Sequence, residues 1–320
     1  MRILLLGFAR GTLPETQLAQ VREIASDMRI MFSRDREEIA QVLDDIEIAV
    51  GRFPRDLMAK APSLRWYHQW GAGANWLMKY PEIVEKDFVI TNTSGMHAIP
   101  ISEHIFALLL AFARALPVAF QAQNQGQWRK ATPAELFELA GKIMVLIGVG
   151  AIGERTARIA NALDMRVLGV RRNPSKTIPA VEAMYGPDQL IEVLPEADVV
   201  VLTIPLTHET QGMIGERELR AMKPSAYIVN IGRGGTIDEK ALIQALQEGR
   251  IAGAGLDVFE TEPLPTDSPL WTMENVIITA HYSGENPYYD ERALEIFLKN
   301  LKLYKASKPL FNVVDKRLGY

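Results

Sequence analysis

Three glycines at a fixed spacing are the first candidates for chemistry in this sequence. Gly148, Gly150 and Gly153 follow the apolar run MVLI and precede ERTARIANAL, which has the pattern of a helix. In a strand–turn–helix context the first glycine permits a tight turn, the second lets backbone approach a pyrophosphate, and the third lets helix and strand pack closely. Backbone N–H groups at the helix start would face the phosphates. The pattern predicts a dinucleotide site; the alternative is a glycine-rich turn without a ligand.

The residues after the next predicted strand favour one form of the dinucleotide. Arg171 and Arg172 occupy the place where an NAD-binding fold usually presents Asp or Glu to the ribose 2′-OH, and Lys176 lies nearby. Guanidinium groups pair with a 2′-phosphate, which a carboxylate would repel. We therefore expect a preference for NADP(H), with NAD(H) still possible. The alternative is that both arginines belong to a solvated surface turn.

Three further residues have the types that carbonyl reduction requires. Of the five histidines, His281 is singled out because it directly follows the strand-like run VIITA. Glu262 and Arg233 lie just beyond the two preceding strand-like runs, and parallel strands bring such ends to one edge of a sheet. When hydride reaches the carbonyl carbon of a 2-oxo acid, a protonated His281 can give its proton to the oxygen. Glu262 would favour and orient the imidazolium, while Arg233 would bind the substrate carboxylate and polarise the carbonyl.

The elements that must position these residues follow an alternating pattern. Short apolar runs and amphipathic segments alternate from residue 1 to about 90 and again from Lys142, which predicts two parallel sheets built from βαβ units. The length of 320 residues also favours two domains. The predicted boundaries are 1–98 plus 286–320 for a substrate domain and 99–285 for a dinucleotide-binding domain. A hinge is expected near His97 to Pro100, and the segment Tyr289 to Ala306 is expected to form a helix that returns to the first domain.

Composition excludes several other classes of protein. The chain is 48% hydrophobic and 23% charged, has a formal net charge of −4, and contains no cysteine. The absence of a basic stripe argues against nucleic acid as a partner, and the apolar stretch from Ile105 to Phe120 is shorter than a membrane span and contains Arg114 and Pro117. No metal site is expected, because the histidines lack a metal-ligand spacing. Cytoplasm is the expected location.

An ordered series of motifs runs through most of the chain: GAG at Gly71 to Gly73, SEH, QGQW, GVGAIG, PLTHETQGMI, MKPSAYIVNIGRGGTIDEKAL, GAGLDVFETEPLP and ITAHYSG. In this series the chain resembles the D-isomer-specific 2-hydroxyacid dehydrogenases, and its arginine pair is similar to the glyoxylate/hydroxypyruvate reductase branch. The resemblance implies an α/β fold of two doubly wound parallel-sheet domains, a Rossmann cofactor domain and a smaller flavodoxin-like substrate domain. It also implies a homodimer acting on a small 2-oxo or 2-hydroxy acid.

The resemblance assigns roles to particular positions. It implies Arg233, Glu262 and His281 as catalytic residues, and Trp70, Ala72, Gly73, Arg233 and His281 as substrate-binding residues. The implied cofactor-binding residues are Gly148, Gly150, Ala151, Ile152, Gly153, Arg171, Arg172, Ile204, Pro205, Thr210, Ile231, Gly232, Asp257 and Ser283. Two positions depart from the family pattern: Ala280 stands where proline commonly precedes the catalytic histidine, and Asn75 stands where an acidic residue is frequent.

Two alternatives stay open, and a third is set aside. A dinucleotide-sensing corepressor on the same fold would retain similar residues, and an NAD(H)-dependent enzyme resembling phosphoglycerate dehydrogenase would share the catalytic set. A short-chain dehydrogenase would use Tyr-x-x-x-Lys, a spacing present at Tyr304 and Lys308. We interpret that match as chance, because it lies long after the nucleotide fold. Trp66 and Trp76 are expected in the core, and Trp70 is the best candidate for a substrate pocket.

Overall fold

The chain divides into two compact units. The computed structural model describes residues 2–8 and 13–320. The first unit comprises Met1–Met96 and Asn286–Tyr320, and the second unit comprises His97–Glu285. Each unit is built around its own parallel sheet.

In the described part of the chain the strands are β1 Ile3–Gly7, β2 Arg29–Phe32, β3 Ile46–Gly51, β4 Trp66–His68, β5 Val89–Thr91, β6 Ile143–Ile147, β7 Arg166–Val170, β8 Ala183–Tyr185, β9 Val199–Leu202, β10 Tyr227–Asn230, β11 Gly253–Leu256 and β12 Val276–Ile278. The α-helices there are α1 Glu15–Ile24, α2 Arg36–Gln41, α3 Arg55–Met58, α4 Pro81–Val84, α5 Ala98–Ala113, α6 Leu116–Asn124, α7 Ala151–Ala162, α8 Leu190–Val193, α9 Glu216–Ala221, α10 Glu239–Gln247 and α11 Tyr289–Lys305.

Both sheets have the order of doubly wound folds. The first unit has the order β2-β1-β3-β4-β5, which is the flavodoxin-like order 2-1-3-4-5. The second unit has the order β12-β11-β10-β9-β6-β7-β8, which contains the Rossmann order 3-2-1-4-5-6 with one further strand at the β12 edge. All paired strands in both sheets are parallel. The predicted fold class is confirmed.

Helix α11 packs within the first unit. Its residues Phe297 and Leu301 are fully buried beside Trp66, whose indole stacks on the Phe297 ring with centroids 5.5 Å apart. The amphipathic face predicted for this segment therefore covers the five-stranded sheet. The hydroxyl of Tyr304, near the end of the same helix, donates to Glu47 at 2.9 Å.

Helix α5 belongs to the core of the second unit. Its residues Ile105 and Leu109 are fully buried beside Met144 and Leu146 of β6. The helix begins at Ala98, and Pro100 lies in its first turn, where proline is tolerated. In residues 2–8 and 13–320, no single helix is long and apolar enough to cross a membrane; α5 and α6 meet the length and composition criteria only as a pair, with a 71° bend between them.

Candidate active site

The three glycines of the turn between β6 and α7 meet different constraints. Gly148 has φ +96°, in the left-handed region that favours glycine. A Cβ on Gly153 would lie 2.4 Å from the carbonyl oxygen of Gly148, so only glycine lets the helix begin so near the strand. A Cβ on Gly150 would meet nothing within 4 Å. The open space at Gly150, with Ala151 and Ile152 starting the helix behind it, fits the phosphates of a dinucleotide.

Arg171 and Arg172 follow the end of β7 but have different surroundings. Nη1 of Arg171 is buried and has no hydrogen-bond partner among the described residues. Nη2 of Arg172 donates to Oε2 of Glu209 at 2.5 Å, and both side chains are exposed. A buried guanidinium nitrogen without an acceptor is unfavourable, so a phosphate oxygen would complete the bonding of Arg171.

The loop after β9 lies against the glycine turn. Ile204 approaches Gly148 so closely that a Cβ there would lie 2.7 Å from its Cγ2. The hydroxyl of Thr210 donates to the carbonyl oxygen of Pro205 at 2.7 Å and accepts from the N–H of Thr207 at 2.8 Å. The Thr210 side chain thus holds the loop in shape, while Ile204 lies beside the turn.

Arg233 comes directly after the buried residues Ile231 and Gly232 at the end of β10. Its Nη1 donates to the carbonyl oxygen of Gly232 at 2.6 Å, and its own carbonyl oxygen accepts from the Thr236 hydroxyl at 2.6 Å. Burial lowers the pKa of Arg233, and the negative charge of Glu262 opposes that shift. A guanidinium withdrawn from water acts more strongly on a nearby substrate charge than an exposed one would.

The fully buried carboxylate of Asp257 anchors the segment that carries His281. Oδ1 accepts from the Thr279 hydroxyl at 2.6 Å and from the N–H of Tyr282 at 3.1 Å, and Oδ2 accepts from the N–H of Ser283 at 3.0 Å. The N–H of His281 donates to the carbonyl oxygen of Asp257 at 2.9 Å. These bonds hold His281 at φ +53°, a conformation that non-glycine residues rarely adopt.

His281 and Glu262 form a close pair. Nδ1 of His281 lies 2.6 Å from Oε2 of Glu262, and Oε1 of the same carboxylate accepts from the N–H of Phe259 at 3.1 Å. A carboxylate accepts, so Nδ1 carries a proton in this pair and Nε2 is the nitrogen available to a substrate. The His281 side chain is 46% exposed, so that nitrogen is reachable.

Sequence reasoning did not select His97, which the structure brings to the same cluster. Burial together with the positive charge of Arg233 lowers the pKa of His97 to about 4, so the imidazole is neutral near pH 7. Its Cδ2 would lie 2.9 Å from a Cβ on Gly284, three residues after His281. The only sequence signal was its place beside the expected hinge.

Trp70, Ala72 and Gly73 lie in the first unit, in the segment after β4. The indole N–H of Trp70 donates to Oδ1 of Asp290 at 2.9 Å, and its ring meets Phe8 edge-on with centroids 4.6 Å apart. Ala72 and Gly73 are partly exposed. Of the other tryptophans considered, Trp66 is fully buried, whereas Trp76 is partly buried beneath the guanidinium of Arg55.

The family model of the D-isomer specific 2-hydroxyacid dehydrogenase NAD binding domain matches residues 106–283, more than half of the chain. A glyoxylate reductase from Korarchaeum cryptofilum is 36% identical over 82% of this chain and 80% of its own length. The chain belongs to the D-isomer specific 2-hydroxyacid dehydrogenase family. It is an NAD(P)-dependent oxidoreductase that acts on the CH–OH group of 2-hydroxy acids.

Two solved structures resemble the whole of this 2-hydroxyacid dehydrogenase. One is a family member from Xanthobacter autotrophicus in complex with NADPH and MES, with TM-score 0.84, 27% identity, and coverage of 100% of this chain and 99% of that one. The other is an NADPH-dependent glyoxylate/hydroxypyruvate reductase from Sinorhizobium meliloti in complex with NADP and sulfate, with TM-score 0.84, 25% identity, and full coverage of both chains.

The remaining histidines of this dehydrogenase differ from His281 in their surroundings. His68 is fully buried in the first unit, and burial lowers its pKa to about 3. Nε2 of His104 lies 3.0 Å from the Thr279 hydroxyl, whose proton goes to Asp257, so His104 donates in that contact. His208 is exposed. Over residues 2–8 and 13–320 no group of three or more His, Asp or Glu side chains could hold a metal ion.

Proposed function

We propose that this protein is an NADP(H)-preferring D-2-hydroxyacid dehydrogenase that reduces 2-oxo acids, with His281 as general acid. The observation that carries the proposal is the pair of His281 and Glu262, 2.6 Å apart, with the Arg233 side chain close enough to Glu262 to feel its charge. The second unit would bind the dinucleotide, and the first unit would bind the acid through the N–H groups of Ala72 and Gly73.

In the proposed reduction His281, Glu262 and Arg233 have different roles. When bound, the nicotinamide supplies a hydride to the carbonyl carbon of the acid. Nε2 of His281 gives its proton to the carbonyl oxygen, so that the product is a hydroxyl group. Glu262 holds Nδ1 and stabilises the imidazolium before transfer, and Arg233 polarises the carbonyl through its positive charge.

The preference for NADP(H) is supported by the environment of Arg171. Its buried Nη1 lacks an acceptor in the described chain, whereas Arg172 is paired with Glu209. Arg171 is therefore the main candidate for the 2′-phosphate, and Arg172 would contribute less because Glu209 neutralises it. Relatives solved with NADPH and NADP point in the same direction.

The remaining cofactor contacts would come from residues around the glycine turn and the strand ends. The proposed set is Gly148, Gly150, Ala151, Ile152, Gly153, Ile204, Pro205, Thr210, Ile231, Gly232, Asp257 and Ser283. The Asp257 carboxylate already accepts three hydrogen bonds, and an ionised carboxylate has about four acceptor positions. One position is thus left for the nicotinamide carboxamide.

Turnover with a panel of acids tests this function. Absorbance at the nicotinamide band would be followed while NADPH and NADH are each offered glyoxylate, hydroxypyruvate, pyruvate and phenylpyruvate. We expect oxidation of NADPH with a preference for glyoxylate or hydroxypyruvate, since the relatives named above are reductases of these acids. Silence with every acid, while NADPH still binds, would favour a nucleotide-sensing protein.

The cofactor assignment has its own test. R171A should raise the KM for NADPH about tenfold or more and leave the KM for NADH nearly unchanged, because only the 2′-phosphate contact is lost. E209Q should lower the KM for NADPH, because it frees Arg172 and removes a negative charge. Equal changes for both cofactors in R171A would refute the assignment.

We further propose a homodimer formed by α5, α6 and the segment that follows them. Phe120 is 57% exposed and Trp128 is 94% exposed, and Leu110 and Leu116 are also exposed on these helices. A contiguous exposed apolar patch marks a surface for binding another protein, and we propose that these side chains form such a patch. The occupant we propose is a second copy of this chain.

A further inference from the structure

The segment Trp70–Gly73 after β4 has an unusual set of hydrogen bonds. The carbonyl oxygens of all four of its residues accept from side chains of other residues. The N–H groups of Gly71, Ala72 and Gly73 donate to no group within residues 2–8 and 13–320. Because these residues are partly exposed, their N–H groups can meet a ligand without a change of fold.

Three side chains supply those donors. Nε2 of Gln69 donates to the carbonyl oxygens of Gly71 at 3.1 Å and of Gly73 at 2.5 Å. Nδ2 of Asn92 donates to the carbonyl oxygen of Ala72 at 2.8 Å. The hydroxyl of Tyr289, at the start of α11, donates to the carbonyl oxygen of Trp70 at 2.9 Å. All three come from the first unit.

The orientation of both amide side chains is fixed by their other ends. Oε1 of Gln69 accepts from the indole N–H of Trp76 at 2.6 Å, and Oδ1 of Asn92 accepts from the N–H of Ser94 at 3.0 Å. Reversing either amide would bring donor against donor and acceptor against acceptor. Both side chains are buried, which keeps water from replacing these bonds.

Because the peptide group is planar, a contact that fixes a carbonyl oxygen also fixes the direction of the next residue's N–H group. In a planar trans peptide the carbonyl oxygen of one residue and the N–H of the next point in opposite directions. Asn92, which holds the oxygen of Ala72, therefore sets the N–H of Gly73. Gln69 sets the N–H of Ala72 in the same way, and Tyr289 sets the N–H of Gly71. The free N–H groups are aimed by side chains on the far side of the backbone.

We propose that Gln69, Asn92 and Tyr289 are positioning residues for the substrate carboxylate. They do not touch the substrate; they hold the peptide planes so that the N–H groups of Ala72 and Gly73 meet an anion in a fixed geometry. This inference rests on the proposed function, because it takes the 2-oxo acid as the ligand of that segment. Preorganised N–H donors bind an anion more tightly than donors that must reorient.

The variant N92D tests the inference most directly. The Asp side chain still accepts from the N–H of Ser94 but turns an acceptor toward the carbonyl oxygen of Ala72, so the peptide plane should rotate. We expect the KM for the preferred 2-oxo acid and the inhibition constant of oxamate, a carboxylate analogue, to rise about tenfold or more. The KM for NADPH should stay within twofold of the wild-type value. Q69E and Y289F should shift in the same direction.

A matched control separates positioning from general stability. Asn300 is also buried in the first unit, and its Nδ2 donates to the carbonyl oxygen of Phe311 at 3.0 Å, remote in sequence from Trp70–Gly73. N300D should lower the melting temperature without changing the KM for the acid. An equal rise of that KM in N300D, or an unchanged KM in N92D, would overturn the inference.

If the proposed function itself is wrong, the experiment gives a different result from the one expected when only the positioning role is wrong. In that case the wild-type chain itself reduces no 2-oxo acid and shows no oxamate binding by fluorescence titration with NADPH present. If the wild-type chain turns over and N92D behaves like it, only the positioning role is lost.

Discussion

The immediate neighbours of His281 suit its proposed role as proton donor. Glu262 occupies Nδ1, and Asp257 fixes the backbone on both sides of a residue held at φ +53°. Ala280 precedes it, and hydrogen bonds to Asp257 hold this turn. Two carboxylates therefore hold this segment in different ways, Glu262 at the imidazole ring and Asp257 at the main chain that follows.

Replacing Glu262 should separate two effects on His281: the orientation of its ring and the stabilisation of its positive charge. E262Q can still accept from Nδ1 but no longer stabilises the imidazolium, so we expect kcat to fall about tenfold or more with little change in the KM for NADPH. H281A should cost roughly 10²-fold or more in kcat. Steady-state kinetics would check both, with Y304F as the control, because the Tyr304 hydroxyl contacts Glu47 in the first unit. Full activity in H281A would refute the acid assignment.

At the scale of elements, the βα turn and the strand ends do most of the positioning. The glycine turn, the loop after β9, Arg233 and Asp257 all follow consecutive or neighbouring strands of one parallel sheet. The alternation of apolar runs and amphipathic segments predicted the parallel sheets that the structure shows. The short strands β2, β4 and β8 were not predicted, because RIMF, WYH and AMY are too short or too mixed in polarity to give a periodic signal.

Two substitutions in the glycine turn should affect different properties of the protein, one its cofactor binding and the other its stability. G150A places a methyl group in open space, so the protein should unfold at nearly the wild-type temperature, but NADPH should bind at least tenfold more weakly because the phosphates lose that space. G153A forces its methyl group onto the carbonyl oxygen of Gly148 and should lower the free energy of unfolding by about 1–3 kcal/mol. Thermal unfolding and fluorescence titration measure the two effects. Normal NADPH binding by G150A would contradict the assignment of that space.

His68 should make the first unit sensitive to acid. Its pKa is about 3 in the folded chain against an ordinary value of 6.5, so the unfolded chain binds a proton that the folded chain refuses between these values. Stability from this residue is fully present above pH 6.5 and is lost as pH falls toward 3, by up to roughly 1.4 kcal/mol per pH unit. Urea unfolding between pH 7 and 4 should show a smaller pH slope in H68N than in the wild type. The exposed His208 provides the control H208N, and equal slopes in H68N and wild type would disprove the linkage.

At the scale of the whole molecule, two parallel sheets each carry one part of the proposed chemistry. The second unit contains the residues proposed for the dinucleotide and for proton transfer, and the first unit contains the proposed carboxylate segment. The chain returns to the first unit at Asn286. Helix α11 therefore brings Tyr289 and Asp290 into contact with Trp70, which lies 219 and 220 positions earlier in the chain. The exposed apolar side chains of α5, α6 and the segment that follows them are the surface proposed for contact with a second copy of the chain.

The proposed dimer can be tested by its mass in solution. The double substitution F120D/W128S should shift the particle from dimer to monomer at micromolar concentration, because it places charge and a small polar group on the proposed contact. Light scattering coupled to size exclusion measures this. Trp271 is 52% exposed outside that segment, so W271S should leave the mass unchanged. A monomeric wild-type protein would refute the proposal.

The sequence by itself determined what depends on local pattern. The spacing of Gly148, Gly150 and Gly153 after an apolar run defines the βα turn, and the ends of parallel strands bring Arg233, Glu262 and His281 to one edge. Tertiary structure alone decided contacts between distant side chains: Arg172 with Glu209, His97 with Arg233, and Gln69, Asn92 and Tyr289 around Trp70–Gly73. Such contacts leave no periodic trace, because each depends on the packing of separate elements and not on the spacing of neighbours along the chain.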